Sequence, residues 1–277
     1  MPAGKGQTLF KAKAQGADIR MVYSPMDAVK LARENPDKEV VFFAIGFETT
    51  TPPTAVAIKV ADKENLTNFS VICSHVLTPA AMEHILLGKV HLDGLVGPAH
   101  VSTVIGWKPY EHFARDWKIP VVVCGFEPLD MLYSILMLVR QVNDGRSEVE
   151  NEFIRAVTEN GSRKAVELMA QVFEPRESFE WRGLGTVPKS ALRIRPEYAE
   201  FDAEKRFSMP EIRVADNKAC ECGAILRGEK EPKDCRLFGT VCTPAHPIGA
   251  CMVSSEGACA AYYSYGRHST IEIQKNA

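Results

Sequence analysis

Dense apolar runs alternate with segments of helical period between residues 17 and 140. "ADIRMVYS" (17–24) reads as a strand. "PMDAVKLAREN" (25–35) follows as a helix, with Ser24 as N-cap and Pro25 at the first helical position. "EVVFFAIGF" (39–47) is continuously apolar, as expected of a strand covered on both faces. "TPPTAVAIKVADKEN" (51–65) predicts the next helix. "FSVICSH" (69–75), "LDGLVG" (92–97) and "PVVVCGF" (120–126) predict further buried strands. "PAAMEHILLG", "VSTVIGWKPYEHFARD" and "PLDMLYSILMLVRQV" are the helices between and after them. Such alternation predicts an α/β architecture with mainly parallel sheets. "VVFFAIGFETTTP" and "VVVCGFEPLD" both run from an apolar strand through Gly-Phe-Glu into a Pro-led helix, so two sheets on related units are expected.

The pattern changes after residue 145. "SEVENEFIRAVTENGSRKAVELMAQVF" (147–173) is amphipathic and predicts two helices broken at Asn160-Gly161. Residues 174–207 have little periodicity, yet contain Trp181, Tyr198 and Phe201, which favour burial; an irregular ordered segment is expected. Residues 208–265 are rich in Cys, Gly and Pro and predict a small metal-organised unit, followed by a loose tail after Tyr265.

Composition narrows the function without naming it. The chain has 277 residues, is 45% hydrophobic and 25% charged, and carries a formal charge of -2. No basic block suggests nucleic acid. The longest uncharged apolar stretch, Met131 to Val139, is too short to span a bilayer, and the N-terminus has no apolar signal-peptide core. A cytoplasmic protein without nucleic-acid or membrane partners is the expectation.

Six of the eight cysteines fall between Cys220 and Cys259, whereas Cys73 and Cys124 stand alone in apolar runs. A local cluster in such a chain points to metal or redox chemistry rather than disulfide stapling. Cys222, Cys235, Cys242 and Cys259 are spaced x12, x6 and x16. Four thiolates from separate loops suit an iron–sulfur cluster or a zinc ion, and residue type alone does not choose. Zinc knuckles usually draw two ligands from a tight Cys-x2–4-Cys pair, while Cys220 and Cys222 are separated by one residue. Nearby glycines permit tight turns, and Phe238, Tyr262 and Tyr263 are candidates to shield the site. Cys220 and Cys251 are spare, the first expected exposed and the second buried.

The segment "CGAILRGEKEPKDCRLFGTVCTPAHPIGACMVSSEGACAAYYSY" resembles the cluster segment of the hydrogenase maturation factor HypD family. "GFETTTP", "GPAHVSTVIG", "GFEPLD", "VENEF" and "EWRGLG" resemble the same family in the same order, so the likeness runs from about residue 2 to 265. It implies two similar α/β domains and a third around a [4Fe-4S] cluster: 1–66 as the remainder of the first, 67–173 as the second, 174–277 as the irregular segment and cluster domain. It implies Cys222, Cys235, Cys242 and Cys259 as the cluster ligands. It further implies a non-enzymatic scaffold and redox role in assembling the Fe(CN)2CO unit of [NiFe]-hydrogenase, with a HypC-like chaperone and a HypE-like cyanide donor. Family members carry an earlier Cys-Gly-x-His motif and a Cys-x-x-Cys pair; neither occurs in these residues, so Met1 is expected to fall within the first domain. Ala99 stands where the family usually has Gly, which is expected to perturb a tight turn.

Outside the cysteines, Glu48, Thr49 and Thr50 precede a Pro-led helix and are candidates either to hold an anion or to cap the helix. His100, Ser102 and Glu127 begin two further helices and, by the resemblance, face the assembly cleft; Asp130 shares that position, and His75 is a weaker candidate. Trp181 and Arg182 either line the junction with the cysteine unit or pack there. Two other readings stay open: an independent iron–sulfur electron carrier and a zinc-stabilised interaction module.

Overall fold

The computed structural model describes residues 8–88, 92–209 and 216–266. The tail expected after Tyr265 lies outside them from residue 267 onward. Helices α1 (Leu9–Ala14) and α2 (Pro25–Glu34) lead into strand β1 (Val40–Gly46), α3 (Thr51–Lys63), β2 (Phe69–His75) and α4 (Thr78–Leu86). Ser24 Oγ accepts from Met26 N at 3.1 Å and the Asp27 carboxylate accepts from Ser24 N, a reciprocal cap that starts α2 where the sequence placed it. β1 and β2 pair in parallel, Val40 opposite Phe69 through Gly46 opposite His75. α2 and α3 cover one face of this sheet with Ala28, Val29, Ala32, Ala55 and Ile58. The far side of the core comes from later chain, Val172, Phe173, Leu192, Ile194 and Phe201. Burying Phe69 fully contributes about 2–3 kcal/mol.

A second parallel sheet has the order β3 (Leu95–Pro98), β4 (Val121–Cys124), β5 (Val149–Asn151), with β4 central and fully buried. Between β3 and β4 the chain forms α5 (Ala99–Ile105), a 3-10 turn (Lys108–Tyr110) and α6 (Glu111–Asp116). Helix α7 (Pro128–Asn143) joins β4 to β5. Tyr110, Phe113, Val121, Val123 and Val157 form the core here. The architecture is therefore α/β with parallel sheets, and each sheet carries one Gly-Phe-Glu turn. The two turns share a cause. A Cβ on Gly46 would sit 2.2 Å from Thr50 Oγ1, and one on Gly125 would sit 2.0 Å from Asp130 Oδ2, so each glycine lets the first turn of the following helix close over the strand end. Replacing Gly125 with alanine is expected to cost about 3 kcal/mol through this overlap, read as a lowered urea midpoint at unchanged slope.

Several expectations change. Residues 17–24 form no strand: Met21 and Tyr23 are 79% and 94% exposed, and β1 takes its ladder from β2 instead. β1 is covered on one face only, with Val41, Phe43 and Ile45 at 42%, 40% and 50% exposure. The expected helix over 101–116 breaks at Gly106, whose φ of 80° ends α5. Residues 147–162 are not helical: Val149–Asn151 pairs with β4, because a parallel ladder outcompetes a short amphipathic pattern. Helix α8 (Arg163–Val172) does begin after Gly161, at φ 63°. Residues 174–207 are more regular than expected. Antiparallel β6 (Phe173–Pro175) pairs with β9 (Leu192–Ile194), and β7 (Ser178–Trp181) with β8 (Gly185–Pro188). The short helix α9 (Ala203–Arg206) closes this segment. Ala99 is the buried first residue of α5, outside the left-handed region, so its methyl strains no turn.

α7 is inverted for a helix on a sheet. Its buried positions are Asp130, Ser134 and Gln141, while Leu129, Leu132, Ile135, Leu136 and Val139 face outward. Gln141 Nε2 donates to Glu150 Oε2 at 2.7 Å, and Arg155 donates to Asp130, so polar bonds help fix the inner face.

Candidate metal centre

The cysteine unit is built from short turns. Cys222 opens helix α10 (Cys222–Leu226). Cys235 ends the 3-10 turn Pro232–Asp234. Cys242 closes a tight loop in which Gly239, at φ 68°, donates its N–H to the Cys242 carbonyl at 3.0 Å. Cys259 lies in α11 (Ala258–Ala261). Four separate turns thus deliver four thiols to one place, with exposures of 4%, 8%, 6% and 7%. One small cavity is lined by these four, by Cys220 and Cys251, and by Ile225, Phe238 and Met252.

Two of the sulfurs accept backbone hydrogen bonds. Ile248 N–H donates to Cys242 Sγ at 3.4 Å and Cys251 N–H to Cys222 Sγ at 3.3 Å. The Cys251 thiol lies 2.8 Å from Cys222 Sγ, and its hydrogen bond pulls the Cys222 thiol down to about 7 against the effect of burial. The Cys251 thiol is driven upward by the same contact and by burial. Desolvation pushes Cys259 up to about 12. A thiol kept protonated by burial ionises when a metal cation takes the place of its proton. Soft donors, an apolar shell and N–H···S bonds therefore fit a thiolate-ligated group. Among the described residues, no three His, Cys, Asp or Glu side chains gather closely enough to hold a single metal ion.

The shell includes contacts that only the structure shows. A Cβ on Gly249 would sit 2.4 Å from Cys220 Sγ, and one on Gly223 would sit 2.5 Å from the Gly183 carbonyl. Gly183 N–H donates to Asp216 at 2.9 Å. The "EWRGLG" loop thus meets the cysteine unit through Gly183, and the pair of glycines in that motif was the available signal. Trp181 instead donates to Ser190 Oγ at 2.7 Å within its hairpin, and Arg182 is exposed. Phe238 packs edge-on against Tyr262 and Tyr263, at 5.8 and 6.0 Å. Cys251 is buried as expected, whereas Cys220 is half-buried rather than exposed.

The other candidates do not converge on one point. Glu48 is buried and its carboxylate accepts from Thr78 N at 2.8 Å and Thr78 Oγ1 at 2.9 Å, capping α4; burial raises its pKa. It also borders an apolar pocket of about 510 Å³ shared with Ile105 and Phe173. Thr49 and Thr50 line a different pocket of about 310 Å³ with His75. Anion binding at the start of α3 is disfavoured, because Pro52 and Pro53 remove two of its first N–H donors. His100 is exposed and stacks on Phe126 at 4.3 Å, beside the exposed Glu127. Ser102 is fully buried and donates to the Pro98 carbonyl at 2.7 Å, an internal role. Asp130 is likewise spent on Arg155 and on the Glu127 N–H. Cys73 and Cys124 are buried in their strands, and desolvation raises the Cys73 thiol to about 11.

Fold and site together define an α/β protein with parallel sheets and an appended unit organised around buried thiols. The family model for HypD, described as the hydrogenase formation hypA family, matches residues 2–266. The hydrogenase maturation factor HypD of Cupriavidus necator is 63% identical over 280 residues, covering 99% of this chain and 74% of that protein. The HypD of Rhizobium leguminosarum bv. viciae is 64% identical over 274 residues (96% and 71%), and that of Rhodobacter capsulatus 52% over 268 (95% and 71%). The chain belongs to the HypD family. No helix among the described residues is long and apolar enough to cross a membrane.

Proposed function

We propose that this chain acts in hydrogenase maturation as a scaffold and redox accessory for the Fe(CN)2CO unit, which is its cargo. Cys222, Cys235, Cys242 and Cys259 hold a [4Fe-4S] cluster, and the cluster supplies electrons in single steps when bound. The observation that carries the reading is the burial of those four thiols around one cavity in a chain of this family. Zinc is the weaker alternative, since a structural zinc site usually draws two ligands from a tight Cys-x2–4-Cys pair, and Cys220 and Cys222 are separated by one residue only. Phe238 and the tyrosines against it limit water at the sulfurs, and the backbone N–H groups of Ile248 and Cys251 donate to Cys242 and Cys222.

A scaffold needs partners, and the reading names a HypC-like chaperone and a HypE-like cyanide donor. The outward apolar face of α7, with Phe126 beside it, is a contiguous surface of the sort a partner covers. It lies next to the exposed His100 and Glu127. Capture of this chain by an immobilised HypC-type chaperone is the test. The double variant Leu132→Asp/Leu136→Asp is expected to weaken capture by about a hundredfold, an interface-core loss on the scale of hot spots. An independent electron carrier would ignore the chaperone and the variant alike, and that result would overturn the scaffold reading.

A further inference from the structure

The six clustered cysteines outnumber the four positions that a cubane uses, and the surplus is not evenly placed. Cys251 Sγ lies 2.8 Å from Cys222 Sγ, while both side chains are 4% exposed and line the same cavity. That separation is within about 1 Å of a covalent sulfur–sulfur bond. Cys220, one residue from Cys222 in sequence, is poorly placed to bridge to it, because such a short loop strains the bond. A route in also exists. A second pocket of about 290 Å³ is lined by Gly183, Asp216, Cys220, Cys222, Arg227 and Gly249. Cys220, Cys222 and Gly249 border both it and the inner cavity. Cys220 and Cys222 are therefore the sulfurs that border the outer pocket, and Cys251, which lines only the inner cavity, stands behind Cys222.

We propose that Cys222 and Cys251 form a reversible disulfide whenever their sulfurs carry no metal, making Cys251 a resolving thiol that withdraws one corner of the ligand set. The oxidant is a small disulfide such as glutathione disulfide, which meets Cys222 at the mouth of the outer pocket. Cys222 sulfur attacks one sulfur of the oxidant, forming a mixed disulfide and releasing the first glutathione, which takes up the Cys222 proton. Cys251 sulfur then attacks Cys222 sulfur, breaking the mixed bond; the second glutathione leaves with the Cys251 proton. Two protein thiols lose two electrons and two protons in total, and one glutathione disulfide becomes two glutathione thiols. Bond formation and metal binding at Cys222 exclude each other, because both use the same sulfur. The disulfide stands on the geometry alone; its effect on loading rests on the reading of Cys222 as a ligand.

The test uses the full metal-free chain, incubated anaerobically with glutathione disulfide and then digested without reductant for peptide mapping. The expected result is one dominant linked peptide pair, Cys222 with Cys251, released by dithiothreitol. A dominant link between any other pair, or stable glutathione left on Cys222, overturns the proposal. The oxidised chain is then offered iron and sulfide. Uptake is expected to fall about tenfold relative to the reduced chain, while Cys251→Ser after the same treatment loads within about twofold of its own reduced form. Equal loading of oxidised and reduced wild type counts against the switch. If Cys251→Ser folds poorly by circular dichroism, Cys251→Ala replaces it, and the wild-type map decides the linkage without either. Reduced wild type that takes up no iron would instead defeat the cluster reading, while the mapped disulfide would still decide the linkage.

Discussion

Serine at Cys235 or Cys242 is expected to remove the metal from the chain. Wild-type protein purified anaerobically should carry about four iron and four sulfide, and each variant less than a tenth of that. A hydroxyl is a hard, weakly acidic donor in place of a soft thiolate, so it cannot hold the same corner. The surroundings offer no relief. Cys242 is clamped by the Gly239–Cys242 and Cys242–Leu237 backbone bonds, and Cys235 ends a turn fixed by Asp234 accepting from Glu231 N–H. Neither thiol can be replaced by a neighbour sliding across. Cys222 is a less decisive position for this experiment, because Cys251 lies against it. Cys124→Ser is the control: its thiol sits in β4, remote from the cluster unit, and metal content should stay unchanged. One zinc per wild-type chain, with no sulfide, would overturn the cluster reading. Loss of metal should also loosen the whole unit, since its core is made largely of the cysteines themselves together with Ile225, Met252 and Ala260.

Acid is expected to destabilise the fold through His75 as the pH falls from 6.5 toward 4. The ring is 1% exposed; Nε2 shares a 3.0 Å hydrogen bond with Thr54 Oγ1, and Nδ1 has no partner. Burial lowers its pKa from 6.5 to about 4, partly offset by the nearby Gly46 carbonyl. The unfolded chain therefore takes up a proton near pH 6.5, and the folded chain resists it until about pH 4. Stability from this group is present in full above 6.5 and is lost progressively as pH falls through that window. The whole effect is about 3 kcal/mol, the free energy of holding the ring neutral between pH 6.5 and about 4. Urea midpoints measured from pH 7.5 to 4 should fall in wild type. His75→Gln keeps a polar group near Thr54 and should flatten the slope between 6.5 and 4, even if it lowers the plateau. An unchanged slope would mean that other groups carry the acid sensitivity.

Much of this was legible because it is local. The capped start of α2 at Ser24-Pro25 needs only neighbouring residues, and the structure reproduces it. The dense runs at 69–75 and 121–124 became strands because their side chains suit no exposed element. Residues 149–151 misled for the opposite reason. Three residues have no period of their own, and the ladder with β4 decides their state from a distance. Likewise nothing in "VVFFAIG" reveals which face lacks a cover, and the near-uniform apolarity of α7 hides that its inner face is the polar one. The cleft candidates behaved similarly. Glu48 and Asp130 looked available in sequence, and tertiary hydrogen bonds employ both internally, while Ser102 is spent on the Pro98 carbonyl four residues back.

By itself, then, the sequence determined that this is an α/β chain with a thiol-rich C-terminal unit. Those properties follow from residue type, period and spacing, which act over a few positions. Only the tertiary structure decided that Gly183 closes that unit, that His75 is buried with an unpartnered nitrogen, and that Cys251 rests against Cys222. Each depends on segments far apart in the chain meeting at atomic distance, and packing sets that distance where no local preference can.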